Sequence, residues 1–118
     1  MREIRFYITP SGRSPVEEFL DSLSGKQAQK VIWVLRVVEE MGIVPAQYFK
    51  KLPGTDDLWE VRVQHGGDTF RLLGFFEGPR LVILVSGFSK KAQAIPRQEI
   101  SVAEERKREY ESRRRDDE

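Results

Sequence analysis

The chain has 118 residues, no cysteine, and 20 Lys and Arg against 19 Asp and Glu. That length fits one domain, and 39% hydrophobic residues is enough to bury one core, which excludes disorder of the whole chain. The missing cysteine excludes a disulfide scaffold, a zinc knuckle and thiol catalysis. A net charge of +1 argues against a nucleic-acid partner only if the charges are evenly spread, and they are not.

The N-terminal residues, Met1 to Ile8, include basic side chains but no long apolar stretch, and Glu3 interrupts them, so no secretory signal is expected. The longest apolar runs, at 72–76 and 81–85, are far too short to span a membrane. A cytoplasmic location without membrane contact is expected.

In chain order, Ile4, Phe6 and Ile8 alternate with Arg5 and Tyr7, which predicts a first strand. Ser14-Pro15-Val16-Glu17 combines an N-cap, a proline at the first helical position and a capping-box glutamate, so a short helix follows. Ser24 caps a longer helix. Its apolar stripe is Ala28, Val31, Ile32, Leu35 and Val38, broadened by Trp33, Val34 and Val37. Gly42 is expected as its left-handed stop and Pro45 forbids continuation. From Tyr48 the period changes to two. A short strand at 48–52 precedes three stronger strands at 58–64, 69–76 and 81–88. His65-Gly66-Gly67-Asp68 and Glu77-Gly78-Pro79-Arg80 read as hairpin loops, which makes an antiparallel meander. A helix from about Arg97 to Tyr110 has only Ile100, Ala103 and Tyr110 as its apolar side. Residues 113–118 are expected as a charged, disordered tail behind a single domain at 1–112. The predicted fold is α+β: strand, helix hairpin, antiparallel meander, C-terminal helix.

Charge by segment is informative. Residues 1–46 hold six basic and six acidic side chains, 101–118 hold six and seven, and 47–100 hold eight and six. A turn on Gly66-Gly67 sets Val63 opposite Phe70, Val61 opposite Leu72 and Arg62 directly opposite Arg71. Like charges at that spacing are destabilising. A turn on Gly78-Pro79 would set Phe76 opposite Leu81 and Arg71 opposite Ser86, with Phe88 further along the same face and Leu73, Phe75, Val82 and Leu84 at its apolar end. Lys90 and Lys91 follow as the last strand leaves the sheet, and Lys50 and Lys51 lie on the short strand. Clustered guanidinium and ammonium groups bind phosphate, and nucleic acid is its commonest polymeric form. Phe88 is a candidate to stack on an unpaired base. The alternative is that Arg62 and Arg71 pair with Glu60, Asp68 or Asp57 and only dress the sheet. His65 is the sole histidine and reads as a turn residue, no phosphate-loop motif is present, and Asp56-Asp57 reads as a turn. Trp33 and Trp59 read as core.

These words in this order resemble the RelE/ParE toxin superfamily, most closely its HigB-type, phage-derived branch. They are Ser14-Pro15-Val16-Glu17-Glu18-Phe19-Leu20, Lys51-Leu52 with Gly54-Thr55, Leu58-Trp59-Glu60-Val61-Arg62 and Phe70-Arg71-Leu72-Leu73. Gly87-Phe88-Ser89-Lys90-Lys91 and Ile95-Pro96 with Glu99-Ile100 complete the set. The resemblance implies a RelE-like fold and the toxin of a type II toxin–antitoxin pair that cleaves mRNA on the ribosome without metal or organic cofactor. It implies a cognate antitoxin, often a helix-turn-helix protein. It also implies a basic active-site face made by Arg62, Arg71, Lys90 and Lys91, with Lys50 and Lys51 beside it. The expected register adds Ser86 and Phe88 as RNA-binding candidates on the same face. The tyrosine or histidine that several relatives carry after this region is replaced here by Ala92-Gln93-Ala94-Ile95. Two other readings stay open: a ParE-like inhibitor of DNA gyrase, and a non-catalytic phage-derived binding protein of the same fold.

Overall fold

The computed structural model describes residues 1–89 and 94–116. Its elements are β1 (Glu3–Phe6), α1 (Pro15–Asp21), α2 (Gly25–Glu40), β2 (Phe49–Lys51), β3 (Trp59–His65), β4 (Asp68–Glu77), β5 (Leu81–Ser89) and α3 (Arg97–Asp116). They form the expected α+β arrangement around one five-stranded sheet, in the order β1-β5-β4-β3-β2. Strands β2 to β5 are antiparallel neighbours, while β1 closes the far edge in parallel with β5. No helix among the described residues is long and apolar enough to cross a membrane.

The helix starts follow their local chemistry. The Ser14 hydroxyl accepts from the Glu17 N–H, with Pro15 inside the first turn. Ser24 and Gln27 form a reciprocal capping box, which satisfies two donors that the first turn leaves unpaired. The end of α2 departs from expectation. Gly42 is not in the left-handed region, and Met41 leaves the helix extended. The last carbonyls are met instead by Arg2, whose guanidinium donates to Val38 O at 3.1 Å, Met41 O at 2.7 Å and Gly42 O at 3.2 Å. With a side chain supplying those donors, the glycine cap is unnecessary.

The sheet separates two apolar layers. On one face α1 and α2 pack Val16, Val31, Val34, Leu35 and Val38 against Val61, Val63, Phe70, Leu72, Val82 and Leu84. On the other, α3 brings Ala103, Ile100 and Tyr110 onto Tyr7, Leu73, Phe75, Ile83, Val85 and Phe88. Trp33 is not core: it is 51% exposed, because the buried stripe of α2 runs through Val31, Val34 and Val38 and leaves Trp33 on the opposite side. Trp59 does pack with the core, stacked on Phe49 at 4.7 Å. Helix α3 runs on to Asp116, past the expected end near Tyr110, because Arg113 anchors its last turns to Ile8 O at 2.7 Å and to Glu109.

The first hairpin has the expected register, with Arg62 opposite Arg71 and His65 opposite Asp68. Gly66 alone has a left-handed φ, +62°, which suits a type II′ turn. The second hairpin does not match. Glu77 pairs with Leu81, so the loop is Gly78-Pro79-Arg80, and Phe76 faces Val82 rather than Leu81. The extra residue flips the start of β5, so Val82 and Leu84 join the α1–α2 layer while Ile83 lies under α3. A bulge then intervenes: Leu73 pairs with Ser86 but Gly74 with Leu84, leaving Val85 as the added residue. The bulge returns Ser86 and Phe88 to the Arg71 face, although Arg71 lies opposite Phe88 and not Ser86.

Candidate functional site

The cationic end of the sheet is built from three neighbouring strands. Lys50 on β2 lies opposite Glu60 on β3, and two residues on Arg62 lies opposite Arg71 on β4. Period-two alternation puts all four side chains on the face that meets α3. A cleft of about 390 Å³ opens there, bounded by Lys50, Thr55, Glu60 and Arg71 and by Ala94, Ile95 and Ile100 at the start of α3. Its floor is held by a tight loop. The Thr55 hydroxyl donates to Leu52 O at 2.7 Å and accepts from the Leu58 N–H at 3.1 Å, and Gly54 takes φ +73°.

The alternative pairing raised by the sequence is realised for one arginine. Arg71 Nη1 donates to Glu60 Oε2 at 2.5 Å, with the two side chains 4% and 1% exposed. The pair is diagonal across β3 and β4, within reach of long side chains. Glu60 Oε1 is buried without a hydrogen-bond partner among the described residues, and so is Arg62 Nε. Lys50, Arg62 and Arg71 thus lie on the same sheet face as Glu60, and the carboxylate is ion-paired with Arg71. An uncompensated buried donor on a guanidinium is an attractive seat for an anionic oxygen.

The other sequence candidates fall differently. Lys51 points to the opposite face from Lys50 and pairs with Asp57 at 2.9 Å, so it does not join the cleft. Phe88 is only 9% exposed and packs in the α3 layer, which removes it as a stacking platform. Ser86 is 4% exposed and its hydroxyl lies 2.8 Å from Arg106 Nη1, which also donates to Val85 O at 2.9 Å; it is spent on docking α3, not on RNA. Lys90 and Lys91 lie outside the described residues. Glu60 is the participant that sequence reasoning underrated. Its signal was present, two residues before Arg62 on the same face and diagonal to Arg71.

A second polar cluster ties α3 to the segment just past β1. The Tyr7 hydroxyl donates to Glu109 Oε1 at 2.5 Å, and Arg113 donates to the same carboxylate. Burial, then the Glu109 hydrogen bond, push Tyr7 up to about 12. Burial raises Glu109, but the bonds from Tyr7 and Arg113 outweigh it and leave the carboxyl below its ordinary value. Burial and the neighbouring Glu77 carboxylate push Tyr110 up to about 12. Elsewhere on α3, buried Lys107 donates to Asp56 O at 2.5 Å, and Glu104 accepts from the Asp56 N–H at 2.9 Å. Among the described residues no cluster of His, Cys, Asp and Glu has metal-ligand geometry.

Fold and site define a small α+β domain with a basic cleft between one sheet face and the start of its last helix. Residues 18–108 match the family described as phage derived protein Gp49-like (DUF891), and the chain belongs to that family. No curated protein matches the chain.

Proposed function

We propose that the protein is the toxin of a type II toxin–antitoxin pair, of the RelE/HigB type, and that it cleaves mRNA on the ribosome. The observation that supports this best is the cleft itself. Lys50 and the Glu60–Arg71 pair line it, and Arg62 is held directly opposite Arg71 despite their repulsion. The RNA 2′-oxygen attacks the adjacent phosphorus, the bond to the 5′-oxygen breaks, and a 2′,3′-cyclic phosphate remains. The 2′-hydroxyl proton goes to a base and the leaving oxygen takes one from an acid. Arg62, half-buried on the same sheet face, supplies a guanidinium for the growing phosphorane charge, and Lys50, exposed at the cleft mouth, takes part in proton transfer. Arg71 is fixed by Glu60, which makes Glu60 a positioning residue. The ribosome supplies the in-line geometry of the mRNA, which relieves the site of strong acid–base chemistry. The expected partner is a cognate antitoxin, often a helix-turn-helix protein.

Primer extension on translated mRNA tests this. The native chain is expected to cut within codons, and Arg62→Ala to lower the rate by about 10²-fold or more with an unchanged melting temperature. No cutting by the native chain would sink the proposal. In that case the buried Glu60–Arg71 pair favours the second reading, a non-catalytic phage-derived binding protein.

A further inference from the structure

The outer side of α2 packs against no other element among the described residues. Trp33 is 51% and Ile32 37% exposed, and they border a groove with Ala28, Gln29 and Arg36. An exposed indole on a rigid helix is uncommon, since tryptophan carries a large apolar surface. Lys30 lies over the ring at 4.9 Å, which covers only part of it.

The charges around this indole are ordered. At 3.6 residues per turn, positions seven apart return to nearly the same line, so Lys26, Trp33 and Glu40 form one outward stripe. The stripe is basic at its start, aromatic at its centre and acidic at its end, and Trp33 stands at the middle of the helix Gly25–Glu40. Lys26, Arg36 and Glu40 are exposed and make no ion pair among the described residues.

We propose that this face binds a second copy of the chain, α2 against α2 antiparallel, about a two-fold axis through Trp33. A two-fold axis places the same patch on both sides, so the patch must complement itself. Reversal of the helix does this. Lys26 meets Glu40 of the other copy, twice over, Trp33 meets Trp33, and Arg36 comes beside Gln29. A parallel pairing would set Lys26 against Lys26, and a uniformly acidic partner would leave Glu40 opposed. Exposed Met41 and Ile43, just past α2, lie toward the other copy's α1–α2 turn and extend the contact. One helix per side buries less than the roughly 800 Å² per partner of a standard interface, so the dimer is weak and concentration-dependent. The site face is on the far side of the sheet, so both clefts stay open in the dimer.

Sedimentation velocity on the full chain over a wide concentration range is the test. The native chain is expected to dimerise. Lys26→Glu and Glu40→Lys are each expected to weaken association about tenfold, because each turns two exposed attractive pairs repulsive. The double variant restores it, and Trp33→Lys abolishes it with the helix content unchanged. A chain that is monomeric throughout, a dimer indifferent to Trp33→Lys, or a double variant that fails to recover would each overturn the proposal. A monomer whose Trp33 emission shifts on adding poly-glutamate would overturn it in favour of a foreign acidic partner.

Discussion

The Glu60–Arg71 pair decides how mutations in the cleft should be read. Both side chains are almost wholly buried, so removing Arg71 strands the Glu60 carboxylate out of reach of water, and removing Glu60 takes its carboxylate from a buried guanidinium. Arg71→Ala and Glu60→Ala are each expected to lower stability by about 3–5 kcal/mol in chemical denaturation, whereas Glu60→Leu with Arg71→Met should recover most of that loss. A loss of activity in Arg71→Ala alone would thus mix catalysis with unfolding, which is why Arg62 is the better probe. The opposition of Arg62 and Arg71 was legible because Gly66-Gly67 specifies a two-residue turn. The burial of Phe88 and Ser86 was not. The direct partner of Arg71 depends on a three-residue loop and a bulge whose offsets add, moving it from Ser86 to Phe88 while restoring the face, and neither leaves a local mark stronger than Gly78 and Gly74. At Gly74 an added Cβ would meet the Ile83 carbonyl oxygen, a backbone atom that cannot rotate away. Gly74→Ala is therefore expected to cost about 2–3 kcal/mol, read as a lower melting temperature.

At the scale of elements, α3 is held by polar contacts as well as by its narrow apolar side. Arg106 reaches β5, Lys107 and Glu104 reach the 52–58 loop, and Glu109 and Arg113 reach Tyr7 and Ile8 just past β1. The thin apolar stripe was readable from helical spacing. The polar docking was not, because charged residues on an exposed helix look alike until the distant β1 and the Asp56 loop are placed beside them. The pH dependence follows from the two shifted groups. Glu109 lies below its ordinary 4.5 when folded, so its contribution is present above that value and lost as pH falls beneath it. Tyr7 lies at about 12 against an ordinary 10.0, so its contribution is present below pH 10 and lost as pH rises toward 12. Tyr7→Phe is expected to cost about 1–2 kcal/mol between those limits and to flatten both flanks of a melting-temperature profile against pH.

For the whole molecule, the near-cancellation of 20 basic against 19 acidic side chains persists in the fold. Among the described residues, Arg5, Arg13, Lys51, Arg71, Lys107, Arg113 and Arg114 pair with carboxylates, which reduces the cationic surface open to free RNA. On the proposed reading, cleavage of naked RNA is expected to be weak, and efficient salt-insensitive cutting in a gel assay would contradict this. The parallel pairing of β1 with β5 carries a kinetic consequence of its own. Glu3 finds Leu81 only after most of the chain has been made, and closing so long a loop is entropically costly and slow. The meander of β3, β4 and β5 can zip locally through its two short turns, while the strand synthesised first waits to be placed last. Until it arrives, the outer edge of β5 stands unpaired, and that edge is where a nascent or refolding chain is most open to association with its neighbours.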